Sequence, residues 1–416
     1  MRLPSPANED FMTTTTAELA PERSFVDVWL ISIGHAFTHW YPATFYLLLP
    51  LIGNELGLSY AQIGSILTVQ FVAGAISNVP GGLLVDNVGR KGMLMAVSLA
   101  WVGIPYLLMG FSHAYSLLLI CSALVGIGNN LWHPTAIPLL GTRFPTRRGL
   151  VMSFHSMAAN VGDALAPLAA GALLAVLSWR EVMALNVLPG LLMALLLFVY
   201  FGRPQPGDEL QPEARATGSI AGVLRVFAVL LRNRTVTMLS VGSAFRTMTQ
   251  MSLLAFLPVY FAHELGYSPV WIGGCMFALQ AAGFMAAPIA GHLSDKMGRQ
   301  QIIVTSMATS AVVLLFMAFA GRSLAFVFFV AVLGFFLFAT RAVLQAWLLD
   351  ATPNEMGGTS VGFLFGFQAL GAAIGPLISG IVADHYGLVA TFYFLALTIV
   401  IANVFMFFTP APERGE

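Results

Sequence analysis

The 416-residue chain is 58% hydrophobic and only 9% charged, a balance that excludes a soluble globular fold. Its formal net charge is zero, so composition implies neither a nucleic-acid partner nor an acidic one. Length therefore counts membrane helices, each needing about 20 mostly apolar residues. Twelve spans are predicted, at about 26–51, 60–84, 92–111, 115–140, 149–176, 181–202, 236–262, 270–294, 301–320, 324–349, 357–383 and 388–409. The expectation is an all-α membrane protein. Cys121 and Cys275 both fall inside apolar spans, which supports neither a disulfide framework nor a zinc site. Residues 1–25, with Thr13–Thr16 and scattered prolines, lack the apolar core of a cleavable signal peptide and read as a cytoplasmic tail.

Span 1 carries His35 and His39, four residues apart and so about 40° apart around a helix, with Thr38 on the same face. Such residues either pack against a neighbouring helix or line a cavity. Ionisable groups inside a membrane are costly and usually face a bundle interior or a water path, which favours the cavity. The His-x-x-x-His spacing also occurs in membrane di-iron oxygenases, but those sites need several histidine and carboxylate ligands. The remaining histidines, His113, His133, His155, His263, His292 and His385, are scattered singly along the chain. The reading is therefore no enzyme, no metal and no cofactor.

Between spans 2 and 3 runs Gly81-Gly-Leu-Leu-Val-Asp-Asn-Val-Gly-Arg-Lys, and between spans 8 and 9 runs Gly291-His-Leu-Ser-Asp-Lys-Met-Gly-Arg-Gln. Gly82, Asp86, Gly89 and Arg90 align with Gly291, Asp295, Gly298 and Arg299 at one offset, 209 residues. Pro167 and Gly171 answer Pro376 and Gly380 at the same offset, as Gly149 answers Gly358. Matching landmarks half a chain apart are expected of a duplicated membrane domain. Within the loop, the glycines allow close approach or a tight turn. Asp86 has the chemistry to cap a helix N-terminus, and Arg90 and Lys91 anchor at the interface.

Span 4 contains Gly126-Ile-Gly-Asn-Asn-Leu-Trp-His133-Pro134, then Pro138. Two prolines inside a span free backbone carbonyls and kink the helix. Span 5 holds His155, Asn160 and Asp163, the carboxylate placed deepest in any span. In low dielectric such a group can cycle a proton, or it can form a structural pair with an arginine. From Gly202 to Arg234 the chain turns polar and proline-rich, a linker whose last part suits a short surface helix. Arg246 on span 7 has Thr249 and Gln250 at i+3 and i+4, and Arg341 on span 10 has Gln345 at i+4, two polar stripes. Asp350 closes span 10 as a gate or interface residue.

The repeated Gly-Asp-Gly-Arg set between apolar spans resembles the loop signature of the major facilitator superfamily, over nearly the whole chain after residue 25. Span 4, followed by Arg147-Arg148-Gly149-Leu150-x-x-Ser153 and Asn160-x-Gly162-x-Ala164-x-x-Pro167, looks like its fosmidomycin-resistance branch. Thr135 stands where that branch carries a Glu, and Cys121-Ser122 where drug/proton antiporters often carry an Arg. The resemblance implies two pseudo-symmetric six-helix halves, 26–202 and 236–409, a cytoplasmic linker at 203–235 and a C-terminal tail at 410–416. It also implies that spans 1, 4, 7 and 10 face one central cavity. The 209 offset maps Arg246 onto Phe37, between the span 1 histidines, and Arg341 onto Trp132, beside His133, so polar residues of four spans are expected to converge.

With both termini inside, fifteen Lys and Arg lie on the cytoplasmic side and two, Arg180 and Arg322, opposite. That bias fixes the orientation, in a bacterial inner membrane on this reading. The expected function is a proton-coupled exporter of small anionic or amphipathic compounds, working as one chain in lipid by alternating access. His35, His39, His133, Arg246, Gln250, Arg341 and Gln345 are the substrate-binding candidates, and Asp163, or one of the histidines His35, His39 and His133, the proton carrier. Asp163 would hold an arginine until protonation releases it for an anion. Asp86, Arg90, Arg143, Asp295 and Arg299 are the gating candidates, with Arg143 a partner for Asp86. A proton symporter importing carboxylates, a divalent metal route and a non-transporting sensor stand as alternatives.

Overall fold

The structure, a computed structural model, describes residues 25–88, 90–202, 227–320, 324–352 and 357–410. Among them thirteen helices of twelve residues or more follow in order: α1 Val26–Leu56, α2 Tyr60–Asn87, α3 Lys91–Gly110, α4 Tyr115–Asn129, α5 Trp132–Arg143, α6 Arg148–Leu173 and α7 Trp179–Phe201, then α8 Arg234–His263, α9 Pro269–Met297, α10 Arg299–Ala320, α11 Leu324–Asp350, α12 Gly357–Tyr386 and α13 Val389–Phe407. The turns at the end away from the chain termini are short and locally encoded. Ser59 with Gln62 and Ser178 with Glu181 form capping boxes for α2 and α7, and Ser268 caps α9 with Pro269 in its first turn. Gly57, Gly266 and Gly387 take the positive φ that ends the preceding helix or turn there.

Span 4 is two helices rather than one kinked span. Pro134 has no N–H to give the Asn130 carbonyl, and the chain breaks at Asn130–Leu131, between α4 and α5. The Asn130 amide then ties the break to α2, donating to the Gly74 carbonyl and to Ser77 Oγ at 3.1 Å. Trp132 and His133 thereby open the first turn of α5.

By length and composition, nine helical stretches are apolar enough to cross a membrane, α4 and α5 counting as one. The long helices that fall short are α1, α6 and α8. These carry His35, His39, Asp163 and Arg246, so their low hydropathy marks a polar interior rather than a helix outside the membrane.

Helix packing repeats between the first seven helices and the last six. α1 packs on α6 as α8 packs on α12, α2 on α4 as α9 on α11, and α3 on α7 as α10 on α13. Across the middle, α2 meets α12 and α6 meets α9, the pair that a two-fold would exchange. The 209 offset holds atom by atom at these two seams. A Cβ on Gly64 would overlap the Pro376 carbonyl and one on Gly380 the Tyr60 carbonyl. Likewise Gly273 abuts the Pro167 carbonyl and Gly171 the Pro269 carbonyl. Small residues permit this backbone approach, which replaces the hydrophobic drive that lipid removes.

At the same end, Asp384 of α12 accepts the N–H of Tyr60 at 2.8 Å and of Ala61 at 2.9 Å. Tyr60 also shares a hydrogen bond with His263 at 3.2 Å, and Thr68 donates to the Ala373 carbonyl at 2.6 Å. A partly open space of about 220 Å³ remains there, lined by Leu47, Pro50, Asn54, Leu174, His263 and Tyr267 among others. None of the sequence-derived binding residues lines it.

Candidate transport site

Two glycines let α1 come close enough to its neighbours to build the first cluster. A Cβ on Gly34 would strike the Trp132 ring of α5, and one on Gly162 the Ala36 carbonyl from α6. This approach gathers four histidines that lie far apart in sequence. His35 stacks on His155 with ring centroids 3.8 Å apart and meets His39 and His133 edge-on at 4.9 Å each. The expectation of scattered single histidines thus fails for His133 and His155, because it counted separation along the chain and not across helices.

Hydrogen bonds fix the tautomers. His35 Nδ1 lies 2.8 Å from the His155 carbonyl, which can only accept, so Nδ1 carries the proton and Nε2 the lone pair. That Nε2 faces His133 Nε2 at 3.1 Å. His39 Nδ1 lies 3.0 Å from Asp163 Oδ2, with the two side chains 24% and 28% exposed. Asp163 therefore pairs with a histidine of its own half, not with an arginine as the sequence reading expected. His35 and His155 are buried while His133 is exposed, so the cluster opens at His133.

The second cluster lies on α8 and α11. Arg246 is 2% exposed; its Nε donates to Thr340 Oγ1 at 3.0 Å and Nη2 to Gln250 Oε1 at 2.5 Å. Both acceptors are neutral, and among the described residues no carboxylate pairs with it. A buried charge held only by neutral acceptors is costly. Thr249 turns away instead, to Thr398 at 2.9 Å, so the polar stripe of α8 is Arg246 and Gln250 alone. Arg341 is exposed and Gln345 half-buried. Arg341 follows Thr340, the acceptor of Arg246, in the sequence of α11.

The gating candidates form braces within each half. Arg299 pairs with Asp295, with Asp350 Oδ2 at 3.1 Å and with Ser294 Oγ at 2.7 Å, joining α9, α10 and α11. Gly298 between them has φ 104°, a conformation that asks for glycine. Gly291 has open space where its Cβ would be, so close packing does not explain it. Arg143 pairs with the buried Asp27 at 2.8 Å, and Tyr200 donates to the same carboxylate at 3.0 Å. Asp27 was missed because it sits at the edge of span 1, 116 residues before its partner. Arg90 is exposed; the side chain of Asp86 and the whole of Gly89 lie outside the described residues, as does Arg322. At the end away from the chain termini, Arg180 pairs with Glu55 at 2.7 Å.

The Major Facilitator Superfamily model matches residues 28–300 and 239–416, and the chain belongs to that family. It is a multi-pass membrane transporter, not an enzyme. A hexuronate transporter of Bacillus subtilis (strain 168) is 26% identical over 364 residues, covering 83% of this chain and 85% of the relative. The fosmidomycin resistance protein of Escherichia coli (strain K12) is 25% identical, covering 92% and 91%. A bacterial homologue of the human lysosomal transporter Spinster, solved inward-facing and occupied, superposes with a TM-score of 0.79 over 94% of this chain and 97% of that one. At 18% identity it shares the fold.

Proposed function

We propose that the chain is a proton-coupled symporter of small organic anions, working by alternating access between the halves 26–202 and 236–409. The observation that carries this reading is the division of chemistry: an uncompensated Arg246 beside an exposed Arg341 in one half, and a His39–Asp163 pair in the other. Anion and proton then occupy different groups. A proton taken up by the pair changes its charge from −1 to zero and removes a repulsion for an anion nearby, so the two ligands bind cooperatively. Competition of the kind antiport needs would follow from an Asp163–arginine pair, and Asp163 has a histidine instead. Hexuronate, after which one relative is named, is itself a carboxylate. With both termini cytoplasmic, in a bacterial inner membrane, the end that the α2–α12 seam and Asp384 hold together faces outward.

Export by proton antiport is the second reading, supported by the similarity to the fosmidomycin resistance protein. One experiment separates them. Proteoliposomes holding a pH-sensitive dye are challenged from outside with hexuronates, sugar phosphates, phosphonates and amphipathic drugs. Symport acidifies the lumen and antiport makes it alkaline, whichever way the protein inserts. Asp163→Asn abolishes either response. Lumen alkalinisation in the wild type would reject symport, and a full response in Asp163→Asn would reject the proton carrier.

A further inference from the structure

The three ring systems of His35, His39 and His133 each bring a nitrogen within 4.8 Å of the others. Proximity alone is a weak argument, and the surroundings of the rings strengthen it. Imidazoles that ligate a metal nearly always donate their second ring N–H to a carboxylate or a backbone carbonyl, which fixes the ring and raises its basicity. His35 does so to the His155 carbonyl and His39 to Asp163. Both thus carry the lone pair on Nε2; that of His39 has no hydrogen-bond partner among the described residues, and that of His35 accepts from His133 Nε2 at 3.1 Å, a proton that an incoming ion would displace. The His155 ring stacked on His35 holds that imidazole in place, and among the described residues neither nitrogen of the buried His155 has a hydrogen-bond partner. Two unpaired nitrogens in a buried ring call for a ligand or its water.

We propose that His35, His39 and His133 form a site for a divalent transition-metal ion of Zn²⁺ type, with a fourth position open to the cavity. Three imidazoles and one exchangeable position suit this borderline-soft ion, whereas Mg²⁺ and Ca²⁺ ask for oxygen ligands. Two nitrogens on one tetrahedral ion lie about 3.4 Å apart. The His35 and His133 Nε2 atoms stand at 3.1 Å, so the larger adjustment, up to about 1.4 Å from the 4.8 Å limit, falls on His39. Entry is past His133, which is exposed. The ion occupies imidazole nitrogens and the proposed anion occupies arginines; His39 belongs both to this site and to the proton-bearing pair, and metal binding measured without anion reads the site separately from transport.

The test is a Co²⁺ titration of tag-free protein in lipid nanodiscs, with no anion added, followed by Zn²⁺ displacement. The expected result is one Co²⁺ per chain, with the intense visible absorption of a four- or five-coordinate nitrogen site, displaced by Zn²⁺. His133→Gln, at an exposed position, and His39→Gln each abolish the band. Asp163→Asn, which leaves the ligands but removes the partner of His39, weakens affinity about 10- to 100-fold. His292→Gln, an exposed histidine elsewhere, changes nothing. A wild type without the band, or a band that persists in both His133→Gln and His39→Gln, overturns the proposal.

Discussion

Arg246 and Arg341 carry one charge each but play different parts. Arg246 is sealed behind Gln250 and Thr340, so it supplies a field, while Arg341 is exposed. A charge-assisted hydrogen bond to an anion contributes about 1.5–3 kcal/mol. Arg341→Gln is therefore expected to weaken equilibrium binding of a transported anion about 10- to 100-fold, measured by calorimetry, with little change in thermal stability. Unchanged affinity would remove Arg341 from the site. The sequence pointed to both arginines, to His39 and to Asp163, because charge inside an apolar span is conspicuous. It did not reveal their pairings. His39 and Asp163 are 124 residues apart, and their partnership depends on the close approach that Gly34 and Gly162 allow.

Elements were legible where local chemistry sets them. Nine spans follow from apolar length, α1, α6 and α8 carrying too many polar residues to be read that way, and several span ends follow from Ser59, Ser178, Ser268 and the positive-φ glycines. The break between α4 and α5 was read only as a kink, because two prolines say that hydrogen bonds are lost but not that Asn130 anchors the gap to α2. The seams were legible as an offset, and their closeness only in three dimensions. The Asp384 latch departs from the two-fold, for the offset puts Ala175 in its place and Pro269, which has no N–H, in that of Tyr60. Asp384 caps α2 across the seam, and losing a cap costs about 0.5–2 kcal/mol. Asp384→Ala is expected to raise opening at the Tyr60 end about 2- to 30-fold. A reporter, Ala262→Cys in the partly open space there, on a background without Cys121 and Cys275, would react faster with an impermeant thiol reagent. An unaltered rate would show that the small-residue seams alone hold this end closed.

At the scale of the whole molecule, a duplicated frame carries unlike contents. The packing of α1–α7 repeats in α8–α13, yet one half offers imidazoles and a carboxylate and the other guanidinium and amide groups. On the proposed mechanism, symmetry would serve the rocking of one half on the other, and the asymmetric contents would let proton and anion act on the same cavity without sharing a ligand. Coupling is then a matter of charge, and it is reciprocal: if an anion tightens proton binding, a proton tightens anion binding by the same factor. The most direct measurement is the affinity for a transported anion as a function of pH, over a range where the anion stays ionised. It is made on the wild type and on the His39→Gln/Asp163→Asn double variant. Affinity that rises as pH falls in the wild type, and is flat in the variant, is the predicted result. Affinity that falls with pH, or a slope that survives in the variant, would contradict it.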